Sequence, residues 1–539
     1  MKANKPFRRI IAWCIATIML AAAMTGCGTS QTTSSAASGT ESKAAESGAD
    51  DIDMNGATLT YRYPMWANEA ELVQNIGDME IYKRIEKRTG VHIEFTCPPT
   101  TDTASAFTTM VASKNLPDII QHEYYVDYPG GPDKAIDDGV YMRLNELMEK
   151  YAPNYLNAIS DPSVHKQAVT DSGNLWCFSM IDKAVQEAYY GPMYRQDWLT
   201  KVGMDVPTTI DEVHNVLKAF KEKLGAESPL LLPQNGCDGS GYMLMSAYGV
   251  SNSYYNDNGT VKFGPMEDGY RQYLETMKQW YAEGLIDQEF PTKTDTTNDI
   301  TTDKAGMWVG NFWQPNTWKS QSVSSDVFKV VAGPYPTLNS GEKVAFKETN
   351  YAVQQNNTAI TTSCKTPEIA VKWLDYKYSE EGYLLCNFGI EGESYNMVNG
   401  EPQYTDFFTE NKNPKGYEFY NAQYYYLMGK GPYLRLWSRE MFSYTDDAWD
   451  MLHTWEDSST GEAVLPNNAL TMTPEEGEAF NVINSDVSTY VNQQTVAFIT
   501  GQQELNDENW NKFVETLKSQ GIEEAVGYKQ AAFDRYQKR

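Results

Sequence analysis

Histidine, cysteine and basic residues are what this chain of 539 residues has little of, and each shortage closes off a class of chemistry. Five histidines, His92, His122, His165, His214 and His453, stand far apart, with no HExxH and no other ligand spacing. There are seven cysteines and no CxxC pair. Cys14 and Cys27 fall in the N-terminal segment, which leaves the odd set Cys97, Cys177, Cys237, Cys364 and Cys386. That count and scatter argue against a disulfide framework and against zinc, although a single pair stays open. No GxSxG nucleophile elbow and no phosphate-binding GKS/T loop is present. Basic residues number 44 against 72 acidic ones, for a formal net charge of −28. Setting aside the N-terminal cations Lys2, Lys5, Arg8 and Arg9, a segment with no acids, takes −28 by four to −32. A surface of that sign repels nucleic-acid phosphates and favours solubility. So many acids also make acid content useless as a sign of catalysis. The carboxylate pair of a glycoside hydrolase, about 5–10 Å apart, could be imagined anywhere. Long apolar runs are missing too. Ile10 to Met24 is shorter than the roughly 20 residues a spanning helix needs, and no second candidate follows.

What is present begins with an address. A basic stretch, the apolar run and Met24-Thr25-Gly26-Cys27 form a secretory signal over 1–26 whose end resembles a lipobox. That resemblance implies a lipid on Cys27. Gly28 to Asp50 is Ser/Thr/Ala/Gly-rich without apolar period, so it reads as a disordered tether within 27–51. From residue 52 onward the chain is long enough for two domains.

The body alternates strand and helix patterns, which predicts an α/β fold. Thr58–Tyr63 reads as a strand that leads into Pro64-Met65-Trp66, Val91–Phe95 as a second, and Pro117–Ile120 as a third that leads into Gln121-His122-Glu123-Tyr124. Gly173–Met180 reads as a hairpin strand, and Tyr242–Val250 as a Met/aromatic helix. Asp257–Phe263 carries the Asn-Gly signal of a tight hairpin. Thr208-Thr209 with Asp211 and Glu212 starts a helix whose buried stripe is Val213, Val216, Leu217 and Phe220. Tyr273, Met277, Trp280 and Tyr281 fall on one helical face and read as core. In an open α/β sheet, side chains just past the carboxyl ends of strands face the ligand crevice.

Aromatic residues make up 13% of the chain, with 36 Tyr and 13 Trp. Flat rings suit the C–H faces of sugars, and planar polar side chains suit their hydroxyl rims. The candidate platforms are Trp66, Tyr124, Tyr194 and Trp313, with Glu123, Arg195 and Asp197 as the polar rim and Tyr242 beside them. Asp197 and Trp198 have a second reading as supports for a chain crossing.

Four segments together resemble lipoprotein extracellular solute-binding proteins, the sugar-binding components of ABC importers of the oligosaccharide-type branch. They are RQDWLTKVGMDVPTTIDEV from Arg195, NLPDII from Asn115, KTPEIAVKWLDYKYSEEGYLLCNFGIEGESY from Lys365 and GYKQAAFDRY from Gly527. The resemblance implies a two-lobe, type II periplasmic-binding-protein-like fold with a cleft between the lobes. The first lobe is expected over 52–182 with a return at 351–399, and the second over 183–350 with helices from 400–539. It implies a monomeric, non-enzymatic receptor for an oligosaccharide, held by lipid at the outer face of the membrane and serving ABC permease subunits. Trp313 falls where such proteins place a sugar-stacking Trp. A surface carbohydrate-active hydrolase and a sugar sensor or adhesion lipoprotein are the alternatives. No cofactor is implied. The calcium loop of alginate-type relatives is replaced by Leu224-Gly225-Ala226-Glu227-Ser228-Pro229, without the oxygen ligands an ion needs.

Overall fold

The computed structural model describes residues 53–99, 102–122, 128–183, 188–237, 243–347, 351–354, 357–442, 444–467 and 469–539. The strands in chain order are β1 (Thr58–Arg62), β2 (His92–Thr96), β3 (Ile119–Gln121), β4 (Cys177–Phe178) and β5 (Ile181–Asp182). Then follow β6 (Tyr190–Arg195), β7 (Ser228–Leu230), β8 (Tyr254–Asp257), β9 (Thr260–Phe263), β10 (Ala305–Asn311) and β11 (Val330–Ala332). The last are β12 (Thr358–Ile360), β13 (Tyr395–Val398), β14 (Glu401–Tyr404) and β15 (Leu434–Arg435).

Two sheets each carry a core. The first runs β2-β1-β3-β12-β4, with β1 parallel to β2 and β3, and β12 antiparallel to β3 and β4. Leu59, Tyr61, Ile119, Phe178 and Ile360 pack there against Ile81 and Ile85 of helix Glu80–Thr89 and Trp373 and Leu374 of helix Pro367–Tyr376. The second runs β11-β6-β10-β7, with β6 antiparallel to both neighbours and β7 parallel to β10. Its core joins Met307 to Leu217, Phe220 and Trp280, and to Val487, Phe498 and Phe513 from the last 70 or so residues. This is the two-lobe solute-binding fold expected from the motifs.

The helix start read at Thr209 forms as a capping box. The Thr209 hydroxyl accepts the Glu212 N–H at 3.3 Å, and the Glu212 carboxylate accepts the Thr208 and Thr209 N–H groups at 2.8 and 3.2 Å. Helix Ile210–Leu224 then buries Val213, Val216, Leu217 and Phe220, each worth about 1.5–3 kcal/mol. Asn258 and Gly259, at φ +50° and +94°, turn the β8–β9 hairpin as their types predict.

Three expectations are corrected. The chain from 401 to 436 does not pack on the second lobe. Tyr404, Phe407, Phe408, Tyr425, Tyr426 and Leu427 are buried in the first core, so the expected boundary at 400 lies some 35 residues too early. Aromatic helices bury as well on either lobe, and nothing in their composition carries an address. The stretch 173–180 yields only β4, an edge strand paired with β12 instead of a hairpin, because its partner is 180 residues away. The helix expected over Tyr242–Val250 shrinks to one 3-10 turn, Met245–Tyr248, closed by Gly249 at φ +72°. Tyr242 itself lies outside the described residues.

Between the cores the chain crosses three times. β5 pairs in parallel with β15, and Ile181 also bridges Val353 in antiparallel fashion. Asp182 ties all three crossings together. Its carboxylate takes two bonds from the Arg435 guanidinium, at 2.5 and 2.7 Å, and one from the Gln354 amide at 3.0 Å.

Candidate functional site

Two aromatic surfaces flank these crossings. On the first lobe, Trp66 follows β1 and is half-buried. Tyr424 meets its ring edge-on at 6.4 Å, and Tyr420, 59% exposed, packs 4.9 Å from Tyr424. The Asn68 amide donates to the Tyr420 hydroxyl at 3.2 Å. On the second lobe, Trp313 follows β10 and is 48% exposed, more than any other described tryptophan. Tyr189, just before β6, stacks on it at 6.4 Å with the planes 16° apart. Phe312 supports it edge-on, and Tyr444 packs against Phe312 at 4.5 Å. Burial raises the Tyr444 phenol, and Glu440 and Tyr420 add to the rise.

Two polar recesses open among the described residues. Next to Tyr190, a cavity of about 510 Å³ opens at the ends of β7 and β10, lined by Gln234, Asn235, Lys293, Thr294 and Thr296 over an apolar floor of Leu231, Leu232 and Val309. Lys293 there is bound by Asp287 and Asp299, at 2.5 and 2.8 Å. A second cavity, about 740 Å³, has Thr170, Asp171, Trp176 and Asn357 from the first lobe and Asn467, Thr471, Arg535 and Arg539 from the C-terminal part of the chain. Asp171 accepts from Thr471, Arg535 and Arg539 across that gap, at 2.6, 3.0 and 2.8 Å.

The sequence-derived candidates separate into three groups. Trp66, half-buried, and Trp313, 48% exposed, lie just past the ends of β1 and β10. Tyr194 and Arg195 are 0% exposed and are corrected as direct ligand contacts. Tyr194 sits in the second core, its ring so close to Gly333 that a Cβ there would lie 2.3 Å away, and burial alone lifts its phenol. Arg195 lies between the rings of Trp198 and Phe328, 4.9 and 4.5 Å away, and bonds Asp197 through two nitrogens and Asp303 through a third. Asp197 is thereby held as a partner of Arg195, which is its supporting reading. A guanidinium with this many partners staples helix Gln196–Val202 to the sheet. Glu123, Tyr124, Tyr242 and Cys27 lie outside the described residues.

Sequence reading missed Tyr189, Tyr420, Tyr424 and Tyr444. The run Phe419–Tyr433, with five tyrosines, was a signal, but it was placed on the wrong lobe. It also missed Gly191, where a Cβ would meet the Trp455 indole at 2.5 Å. The helix Asp446–Asp457 lies directly on β6, and Trp455 donates to the Pro192 carbonyl at 3.3 Å.

Residues 72–383, more than half the chain, match the family described as bacterial extracellular solute-binding protein. This chain belongs to that family. Among curated relatives, the fructooligosaccharide ABC transporter substrate-binding protein FusA of Streptococcus pneumoniae is 24% identical over 490 residues, spanning 85% of this chain and 87% of that one. Lipoprotein LipO of Bacillus subtilis is 25% identical over 336 residues, 59% of this chain and 64% of LipO. Among solved structures, an ABC-transporter-associated solute-binding protein of Bifidobacterium longum infantis, described as binding HMO, superposes with a TM-score of 0.71. It covers 90% of this chain and 99% of that one at 19% identity, a likeness of fold. The family match takes in β2 to the start of the helix Glu380–Phe388, and the likeness of fold extends over both lobes. No helix among the described residues is long and apolar enough to cross a membrane. No disulfide joins the five body cysteines, and burial pushes Cys177, Cys364 and Cys386 up to about 12, out of the reactive range.

Proposed function

We propose that this extracellular solute-binding protein captures an oligosaccharide between its two aromatic surfaces and presents it to ABC permease subunits, held at the outer face of the membrane by lipid on Cys27. The observation that carries the reading is the pairing of Trp66 with Tyr424 and Tyr420 on one lobe and of Trp313 with Tyr189 on the other, both beside a three-segment crossing. Rings of that size match the C–H faces of successive sugar units, while Asn68, Gln234 and Asn235 supply planar hydrogen-bonding groups. Names of relatives favour sugars as well: FusA for fructooligosaccharides and the Bifidobacterium protein for HMO. Closure about the crossings gives a permease a loaded shape to recognise, and a lipid tether raises the receptor's concentration beside it.

The protein binds without reaction in this reading. The buried acids near the cleft are occupied: Asp182 by Arg435 and Gln354, Glu69 by Lys430, Tyr63 and the Trp66 N–H. Burial raises both carboxyls against the pull of Lys430 and Arg435, but their partners leave neither one free to meet a glycosidic oxygen.

The test is a thermal-shift panel of neutral oligosaccharides differing in linkage, with chromatography of each recovered sugar. A raised melting temperature with intact sugar is the expected result. Shortened products would make the protein a hydrolase. No shift with any sugar would move the cargo to another class of solute. For the anchor, Cys27→Ala should release the protein from the membrane fraction into the medium.

A further inference from the structure

Directly behind Trp66 lies a lysine that the proposed binding function does not use. Lys430 is 0% exposed. It donates to the Pro64 carbonyl, lies 3.5 Å from the Glu69 carboxylate, and sits 4.5 Å from the Trp66 ring centre and 5.2 Å from that of Tyr63. Glu69 is as deeply placed, at 2% exposure. One oxygen accepts the Tyr63 hydroxyl at 2.9 Å, and the other accepts the Trp66 backbone N–H at 2.7 Å. Trp66 is therefore gripped at three points: the chain two residues before it, its own N–H, and its ring.

The loop that delivers the lysine has no slack. A Cβ on Gly429 would meet the Tyr424 ring at 2.7 Å, and Gly431 adopts φ +102° with a Cβ position 3.0 Å from the Gln121 side chain. The Gly-Lys-Gly segment is wedged between the ring that abuts Trp66 and the end of β3. Five residues on, Arg435 grips Asp182 at the crossings. A buried ion pair of this kind adds little net stability over apolar residues of similar volume, and the best-attested use of one is to select a geometry.

We infer that Lys430 and Glu69 are a positioning pair: they hold the Trp66 indole at a set angle beside the cleft so that sugar meets a preorganised platform. The inference rests on Trp66 being a ligand contact, the reading given above. Preorganisation of this sort improves affinity by removing the ordering cost from the binding step.

The test uses the full chain labelled with 5-fluorotryptophan, with the Trp66 fluorine resonance assigned by its loss in Trp66→Phe. The variant is the double change Glu69→Gln with Lys430→Met, which leaves no unpaired buried charge. Its Trp66 resonance should move toward the free-tryptophan position and broaden, while the other tryptophan resonances stay in place. An unmoved Trp66 resonance would overturn the inference. If the double variant fails to fold, Lys430→Arg, which keeps the charge but not the reach, gives the same readout. Affinity for a bound sugar from the panel should fall roughly 5- to 50-fold in the double variant. If Trp66→Ala leaves sugar affinity unchanged while the resonance still moves, the contact reading fails and the positioning result stands.

Discussion

Asp375 allows a sharp test of how burial and hydrogen bonding compete in the first core. It lies in the KWLDY segment, is 4% exposed, and accepts the Tyr155 N–H at 2.7 Å and the Asn154 side-chain amide at 2.6 Å. Those donors open the helix Pro153–Ala158, whose dipole also favours a charge there. Burial nevertheless dominates and pushes the carboxyl up to about 6. In the unfolded chain the same group ionises near 3.9. Below about pH 4 both states are protonated. Between about 4 and 6 only the folded state holds the proton, so stability falls as pH rises, and above that the contribution is level. At 1.36 kcal/mol per pH unit, the whole loss from Asp375 is about 3 kcal/mol. Urea unfolding of the parent and of Asp375→Asn, from pH 4.5 to 7.5, isolates it from the other carboxylates. The parent should lose most of that amount relative to the variant across the window. A difference that stays level, or that turns in the parent's favour as pH rises, would refute the reasoning. It would show that the N–H groups of helix Pro153–Ala158 hold Asp375 ionised despite its burial.

Other expectations follow from the same geometry. Trp313→Ala should cost about 1–2 kcal/mol of sugar binding, roughly 5- to 30-fold in Kd by titration calorimetry, with the melting temperature nearly unchanged because the ring is half exposed. Arg195→Met should destabilise the second lobe by about 3–5 kcal/mol in urea titration, since Asp197 and Asp303 lose their common partner. An affinity loss without destabilisation would instead return Arg195 to the ligand site. Gly191→Ala should cost about 1–3 kcal/mol through the clash with Trp455, and Trp455→Leu should relieve part of it in a double-mutant cycle. Asp182→Ala unties the three crossings, and small-angle scattering should show a larger radius of gyration for the sugar-free protein.

The local rules were legible in the chain. The capping box at Thr209 and Glu212, the Asn258-Gly259 turn and the core face of Tyr273, Met277 and Trp280 each depend on residues within four positions of one another or on a single helical period. The family resemblance likewise rested on short segments such as the one from Arg195, and it supplied the two-lobe fold. Trp66 and Trp313 were expected to stay partly uncovered because both stand just past a predicted strand, and both do.

The rest depended on contacts between residues far apart in sequence. Arg195 and Tyr194 have the residue types of a sugar site. Only the packing of Phe328, Asp303 and Gly333 around them shows that they are sealed away. The segment 401–436 belongs to the first lobe because its tyrosines find space beside Tyr82 and Phe388, a matter of complementary shape that composition cannot express. Nothing near Lys430 in sequence marks it as buried; its partner Glu69 stands some 360 residues earlier. Periodicity determines which face of an element is apolar. Which other element covers that face, and so which polar groups must pair inside, is decided by tertiary structure alone.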